Sequence, residues 1–275
     1  MKKEINNLSG EIVTTVTGVK YKLGKVLGCG SQGVVYEEDS GSKVVKLYYP
    51  VNTNASRECV IDRLLFIKNT PLPSNFVRII DVFDFPYVGY VMEKIVDYKS
   101  LNSYLIPNKS ISFSEWYNGG RGFRTRLLIG YVIAKTFSEL ESKNLSYCDI
   151  SGNNILVKIE SGLSVKMIDV DNIYIAGKSE ASVLGTPRYI APEVASGEKN
   201  PDVLSDNYSL AVILYELLRV GHPYISDVIL EGTPEDEENA LAGKSEYVTD
   251  ENSTYMLPAD VVLTSKLKTL FKQCF

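Results

Sequence analysis

Apolar and polar positions in the first fifty residues alternate over short runs: Ile12-Val13-Thr14-Thr15-Val16, residues 20–27, Val34-Val35-Tyr36 and Val44-Val45-Lys46-Leu47-Tyr48. β-branched and aromatic residues in such turn-bounded runs predict strands. Asp39-Ser40-Gly41-Ser42 is a turn cluster, so the strands on either side of it pair as an antiparallel hairpin. At 55–68 the period changes: Val60, Ile61, Leu64, Leu65 and Ile67 recur at helical spacing beside charged residues. Strand character returns at 76–80 and 89–92, and a lobe boundary falls near Glu93. Beyond it, 124–143 carries the stripe Leu127, Ile129, Val132, Ile133, Phe137, Leu140 of a long amphipathic helix. Residues 205–220 form a second, strongly apolar helix closed by Gly221, as suits a helix through the middle of a lobe. The pattern predicts an α+β protein: a small antiparallel β lobe with one main helix, then a larger, mostly helical lobe. Residues 1–19 form a leader with an extra strand, 20–93 the first lobe and 94–275 the second. There is no internal repeat.

Composition narrows the classes. With 275 residues, 44% of them apolar, the chain can bury a substantial core. A net charge of -5 removes the basic field that non-specific nucleic-acid binding needs. Cys29, Cys59, Cys148 and Cys274 form no CxxC pair, and His222 is the single histidine, which argues against structural zinc and for reduced thiols in a cytoplasmic setting. The start is charged and lacks the apolar stretch of a secretory signal, and no run approaches the roughly 20 apolar residues of a membrane helix.

Three stretches carry chemistry. Gly28-Cys29-Gly30-Ser31-Gln32-Gly33-Val34-Val35 is a G-x-G-x-x-G-x-V run, whose side-chain-free positions let backbone amides approach phosphates. A dinucleotide fold would follow it with a helix; here a strand and a turn follow, which places the loop on a β-hairpin. Lys46 ends an apolar strand about a dozen residues later, from which its ammonium can reach two phosphates. Glu58 on the following helix is positioned to hold that ammonium by an ion pair, with Asp62 one turn on as a rival. The third stretch runs from Tyr147 to Val157. Asp149 and Asn154 fall on its loop as D-x-x-x-x-N, and Asp169 follows on the next strand. One carboxylate can accept the proton of an attacking hydroxyl, while an amide and a second carboxylate can hold Mg²⁺ against a triphosphate.

In this order and spacing, and with Gly185-Thr186-Pro187-Arg188-Tyr189-Ile190-Ala191-Pro192-Glu193 and Ser205-Asp206-Asn207-Tyr208-Ser209-Leu210, the elements resemble the eukaryotic-like, bacterial-type Ser/Thr protein kinases over roughly residues 20–275. The resemblance implies a two-lobed protein-kinase-like fold that binds ATP with Mg²⁺ between its lobes and phosphorylates a protein substrate. On that likeness Lys46 grips the α- and β-phosphates, Asp149 is the catalytic aspartate, and Asn154 and Asp169 bind Mg²⁺. Gly28, Gly30 and Gly33 cover the phosphates. Val35, Val44 and Leu156 sandwich the adenine, and the backbone of Glu93 and Ile95 binds its edge. Asp206 props the catalytic loop from beneath.

Several residues depart from the family pattern. Tyr147-Cys148-Asp149 stands for His-Arg-Asp, so the arginine that clamps a phosphorylated activation loop is missing; phosphates on Ser179, Ser182 or Thr186 would lack that partner. Ser151 stands where a lysine neutralises the transferring phosphate, and its hydroxyl supplies no charge. Asp169-Val170-Asp171 replaces Asp-Phe-Gly and puts an extra carboxylate at a position of flexible glycine, and Val44 adds bulk where alanine is usual. The chain stops inside the start of the terminal helical segment, leaving Glu193 without the later arginine that meets it in the family. Two other readings stay open. One is a small-molecule phosphotransferase of the aminoglycoside or choline kinase kind, which Ile168-Asp169-Val170-Asp171 fits. The other is a pseudokinase scaffold that binds nucleotide.

Overall fold

The computed structural model describes residues 5–50, 54–120, 122–160, 162–173, 175, 185–244 and 246–275. The chain divides into two compact units, the first running to Asp97 and including Asp169–Asp171, the second comprising Tyr98–Ile168 and Asn172–Phe275. The first unit therefore continues past the expected boundary at Glu93 and takes in a short segment from much later in the sequence.

The first unit is built on a six-stranded antiparallel sheet of β1 (Ile12–Thr14), β2 (Lys20–Cys29), β3 (Gly33–Glu38), β4 (Lys43–Tyr48), β5 (Ile79–Phe83) and β6 (Gly89–Glu93), in the order β1-β2-β3-β4-β6-β5. One helix, α1 (Asn54–Asn69), packs against β5. The alternation read from the sequence divides the sheet's two faces. Val34, Tyr36, Val45, Leu47 and Val91 point into one apolar core with Ile5, Leu8, Val13 and Leu23. The Tyr36 hydroxyl donates to the carbonyl of Ile5 and accepts from the Leu8 amide at 3.2 Å, which ties the chain's beginning onto that face. Register places Val35 opposite Lys46, Lys46 opposite Tyr90 and Val44 opposite Met92, so these residues share the other face. Strand β5 begins later than the predicted 76–80: Phe76 and Val77 are buried but lie before the ladder.

The second unit pairs β7 (Lys99–Ser100), β8 (Ile155–Lys158) and β9 (Ser164–Met167) as a small antiparallel sheet. It is otherwise helical: α2 (Asn102–Leu105), α3 (Phe113–Gly119), α4 (Gly122–Glu141), α5 (Pro192–Ala195), α6 (Val203–Arg219), α7 (Asp227–Leu230), α8 (Pro234–Asn239), α9 (Ala259–Val262) and α10 (Ser265–Cys274). Helix α6 is the central element, with Asp206, Ser209, Val212, Ile213, Tyr215 and Leu217 all buried. Asp202 and Ser205 close its first turn in a reciprocal capping box. Its far end departs from expectation. Val220, not Gly221, takes the left-handed conformation at φ 61°. Gly221 instead allows close approach, since a Cβ there would lie 2.5 Å from the Met256 side chain. An antiparallel β lobe with one main helix and a mostly helical lobe make up the two-lobed α+β fold that the pattern predicted. Among the described residues no helix is long and apolar enough to cross a membrane.

Candidate active site

In the first unit the β2–β3 turn is the glycine-rich loop, closed by a bond from the Gly30 amide to the Gly33 carbonyl at 2.9 Å. Its glycines divide by role. A Cβ on Gly28 or Gly30 would meet nothing within 4 Å, so their backbone faces open space. A Cβ on Gly33 would lie 2.1 Å from the Leu47 carbonyl, so that glycine lets β3 approach β4. Val44 is buried and Val35 half-buried on the face that carries Lys46. Beyond Met92, Glu93 pairs with Lys43 with its side chain exposed, and Ile95 is half-buried.

Lys46 is 7% exposed, and its ammonium is held by Asp171 at 3.0 and 3.2 Å, with Asp169 and the Gln32 side-chain oxygen at 3.5 and 3.4 Å. Both Tyr48 and Tyr90 donate their hydroxyls to Asp171, the latter at 2.9 Å. Burial disfavours the charged ammonium, but the Asp171 and Asp169 charges outweigh it and raise Lys46 above its ordinary value. Burial likewise opposes ionisation of Asp171, and the Lys46 charge with the tyrosine and lysine hydrogen bonds reverses it, leaving the carboxyl below its ordinary value. Desolvation and the Asp171 charge push both phenols up, so they remain protonated donors.

The expected Lys46–Glu58 pair is not formed. Glu58 is exposed on α1 and lines a concavity with Arg57, Ile61, Asp62 and Asp84, while Lys46 is bonded to Asp171. Asp62, the rival, is exposed in the same concavity. The physical reason is that a fully buried carboxylate with two tyrosine donors outcompetes a solvated helix carboxylate for one ammonium. In the sequence Asp171 stands out as an extra carboxylate but not as the partner of Lys46, and neither tyrosine stands out. The available signal was spacing: Tyr48 stands two residues after Lys46 and so shares its face.

In the second unit the loop from Tyr147 to Asn154 is tied down from several sides. Asp206 on α6 accepts from the backbone amides of Tyr147 and Cys148, the second at 2.9 Å, which is the propping role expected of it. Burial pushes the Asp206 carboxyl up to about 7, although the two amide bonds favour its charge. Cys148 lies in the left-handed region at φ 67°, a conformation that a β-carbon disfavours and that the Asp206 bond helps to hold. The Tyr147 hydroxyl donates to the Ile168 carbonyl. Asp149 is half-buried, and its two carboxylate oxygens accept from the Asn154 side-chain nitrogen at 2.8 Å and the Thr186 hydroxyl at 2.7 Å. Leu156 on β8 is half-buried and Ser151 is buried.

The segment 185–193 is fixed by packing as well as by hydrogen bonds. Gly185 has φ 114°, and a Cβ there would lie 2.8 Å from the Cys148 carbonyl, so only glycine fits both the conformation and the approach. Arg188 pairs with buried Glu216 at 2.8 Å, and the Tyr189 hydroxyl reaches the same carboxylate at 2.9 Å. His222 receives the Tyr224 amide on Nδ1 at 3.2 Å and faces the Arg188 carbonyl with Nε2 at 3.0 Å. Glu193 is only half-buried, so its carboxylate escapes the full desolvation penalty foreseen for an unpaired buried charge. Ser179 and Ser182 lie outside the described residues.

The donor chemistry around these loops suits Mg²⁺. Among the described residues no group of three or more His, Cys, Asp or Glu side chains is arranged to hold a metal. Mg²⁺ does not need one: it is commonly held by one or two protein oxygens together with substrate phosphates and water. The Asn154 side-chain nitrogen donates to Asp149, which leaves its amide oxygen as the atom suited to a cation, and the Asp169 side chain is one-third exposed.

Comparison with known proteins agrees with the geometry. The family model of the protein kinase domain matches residues 21–275, and the chain belongs to that family. It is 25% identical over 223 residues to serine/threonine-protein kinase 33 of Mus musculus, covering 75% of this chain and 43% of that protein. Identity to the probable serine/threonine-protein kinase fhkE of Dictyostelium discoideum is 26% over 224 residues, 76% of this chain and 30% of the relative. A probable serine/threonine-protein kinase of Clostridium perfringens (strain 13 / Type A) is 25% identical over 227 residues, 78% and 31% of the two chains. The chain thus spans less than half the length of each of these relatives.

Proposed function

We propose that the chain is an ATP- and Mg²⁺-dependent protein kinase that transfers the γ-phosphate to serine or threonine hydroxyls. The observation that carries the reading is the arrangement of Asp149: one loop brings it against Asn154, Thr186 bonds its other oxygen, and Asp206 holds the loop's backbone. Asp149 is the group that accepts the proton of the attacking hydroxyl, and its half-exposed position leaves it accessible to one. Lys46 places a positive charge for the α- and β-phosphates, and the open backbone at Gly28 and Gly30 gives amide donors room to approach phosphate oxygens. Val35, Val44 and Leu156 take the adenine, with the backbone of Glu93 and Ile95 at its edge. Asn154 and Asp169 are the residues that would hold Mg²⁺, and a bound cation would supply positive charge against the phosphates.

The bond between Thr186 and Asp149 favours a protein acceptor over a small one, because it makes the segment 185–193 a neighbour of the catalytic carboxylate. A cytoplasmic location belongs to the same proposal and rests on the cysteine spacing. The test is incubation with γ-labelled ATP, Mg²⁺ and either a basic protein or a panel of amino sugars and choline. Label on serine and threonine of the protein supports the reading; label only on a small alcohol replaces it with the small-molecule phosphotransferase.

A further inference from the structure

The family assigns the task of holding the phosphate-binding lysine to a helix glutamate, yet here that lysine has another partner built into the sheet lobe. We propose that Asp171 is the positioning residue for Lys46, in place of Glu58, and that Tyr48 and Tyr90 complete the device. This deepens the nucleotide-binding reading above and rests on it.

Both oxygens of Asp171 are used twice. Oδ1 accepts from Lys46 at 3.2 Å and from the Tyr90 hydroxyl at 2.9 Å; Oδ2 accepts from Lys46 at 3.0 Å and from the Tyr48 hydroxyl. The Asp171 side chain is 1% exposed, so the ion pair is unscreened and its geometry is over-determined. The donors come from rigid positions. Tyr48 lies two residues along β4 on the face of Lys46, and Tyr90 on β6 is the cross-strand partner of Lys46. Lys46 also sits within 6 Å of both ring centres, at 5.7 and 5.9 Å, so aromatic faces flank the ammonium. By contrast Glu58 is exposed and makes no ion pair with Lys46. Asp169, at 3.5 Å and one-third exposed, is a weaker partner, and its carboxylate is the one suited to the metal.

The consequence is a lysine whose placement does not depend on where α1 sits. In the usual arrangement the Lys–Glu pair makes helix position an on–off control. Here the carboxylate travels with the Asp169 segment, so the control moves from the helix to the residues that follow Asp169. The carboxylate at a glycine position then has a use: it anchors that segment to β4 and β6.

The experiment is a thermodynamic cycle on the full chain, measuring the dissociation constant of ATP with Mg²⁺ by calorimetry for the parent, D171N, K46M and D171N/K46M, with E58Q alongside. The expected result is a loss of at least tenfold in affinity for D171N, no more than twofold further loss when D171N is added to K46M, and less than threefold for E58Q. Where thermal unfolding shows that D171N does not fold, Y48F/Y90F replaces it in the cycle, with about a fivefold expected loss that again vanishes beside K46M. Unchanged or improved affinity in D171N overturns the proposal, the latter because Asp171 would then be withholding Lys46 from the phosphates. A loss in E58Q equal to that in D171N also overturns it, as does a D171N loss that persists in full beside K46M. A parent that fails to bind ATP at all refutes the nucleotide-binding reading itself, whereas a parent that binds ATP and ignores D171N refutes this inference alone.

Discussion

His222, the single histidine of the chain, permits a clean test of the electrostatics beneath the segment 185–193. It is 1% exposed, its Nδ1 accepts the Tyr224 amide, and its Nε2 faces the Arg188 carbonyl, so the neutral ring with a proton on Nε2 satisfies both neighbours. Burial first, and then the Arg188 charge, lower its pKa from 6.5 to about 3. The folded state therefore binds this proton less readily than the unfolded chain. The stabilising contribution is complete above 6.5 and is lost as pH falls towards 3. At about 1.4 kcal/mol per pH unit, acidification from about pH 7.5 to about pH 5 removes roughly 2 kcal/mol. Asp206 works in the opposite sense. Its carboxyl is raised from 3.8 to about 7, so its contribution is present below 3.8 and lost as pH rises through 7. Over the same window acidification returns about 2 kcal/mol. The parent profile is consequently shallow, and the two slopes separate only in variants. The assay is urea unfolding of the parent and of H222Q at both pH values. Relative to the parent, H222Q should gain about 2 kcal/mol on acidification. A difference between the two proteins that stays constant from about pH 7.5 to about pH 5 would refute a neutral buried His222.

Two further substitutions test local geometry. Gly33→Ala places a carbon where the Leu47 carbonyl already lies and should cost about 1–3 kcal/mol in thermal or urea unfolding, while Gly28→Ala, which meets nothing, should stay within about 0.5 kcal/mol; equal losses would show that the loop does not pack as described. Thr186→Ala removes one hydrogen bond to Asp149 and should lower kcat about tenfold, with Thr186→Ser restoring most of it; a serine variant as poor as alanine would contradict a role for the hydroxyl.

Much of this architecture was legible because the physics behind it is local. The run Val44 to Tyr48 alternates between two faces, and that alternation alone separates the core residues Val45 and Leu47 from Lys46 and Tyr48. The D-x-x-x-x-N spacing puts Asp149 and Asn154 on one loop, and the amphipathic stripe from Leu127 to Leu140 announces α4. What was not legible depends on how elements dock. The spacing from Lys46 to Glu58 suits an ion pair, but the rotation of α1 decides whether one forms, and no residue within the helix records that rotation. Charged residues in apolar stripes were equally opaque. Arg126 is fully buried, with its guanidinium 4.7 and 4.6 Å from the rings of Trp116 and Tyr117, and Arg219 is buried against Asp250 and the Leu257 carbonyl. Their partners come from distant segments. The helix end at Val220 was misread because glycine is the commoner left-handed terminator, whereas here Gly221 is needed for its closeness to Met256.

Transfer from γ-labelled ATP with Mg²⁺ to a basic protein by the parent, Asp149→Ala and Lys46→Ala, each checked for folding by thermal unfolding, decides whether the proposed roles of Asp149 and Lys46 in phosphate transfer hold. The expected result is label on serine and threonine with the parent and a fall of at least a hundredfold in both variants. Undiminished transfer by folded Asp149→Ala would contradict it.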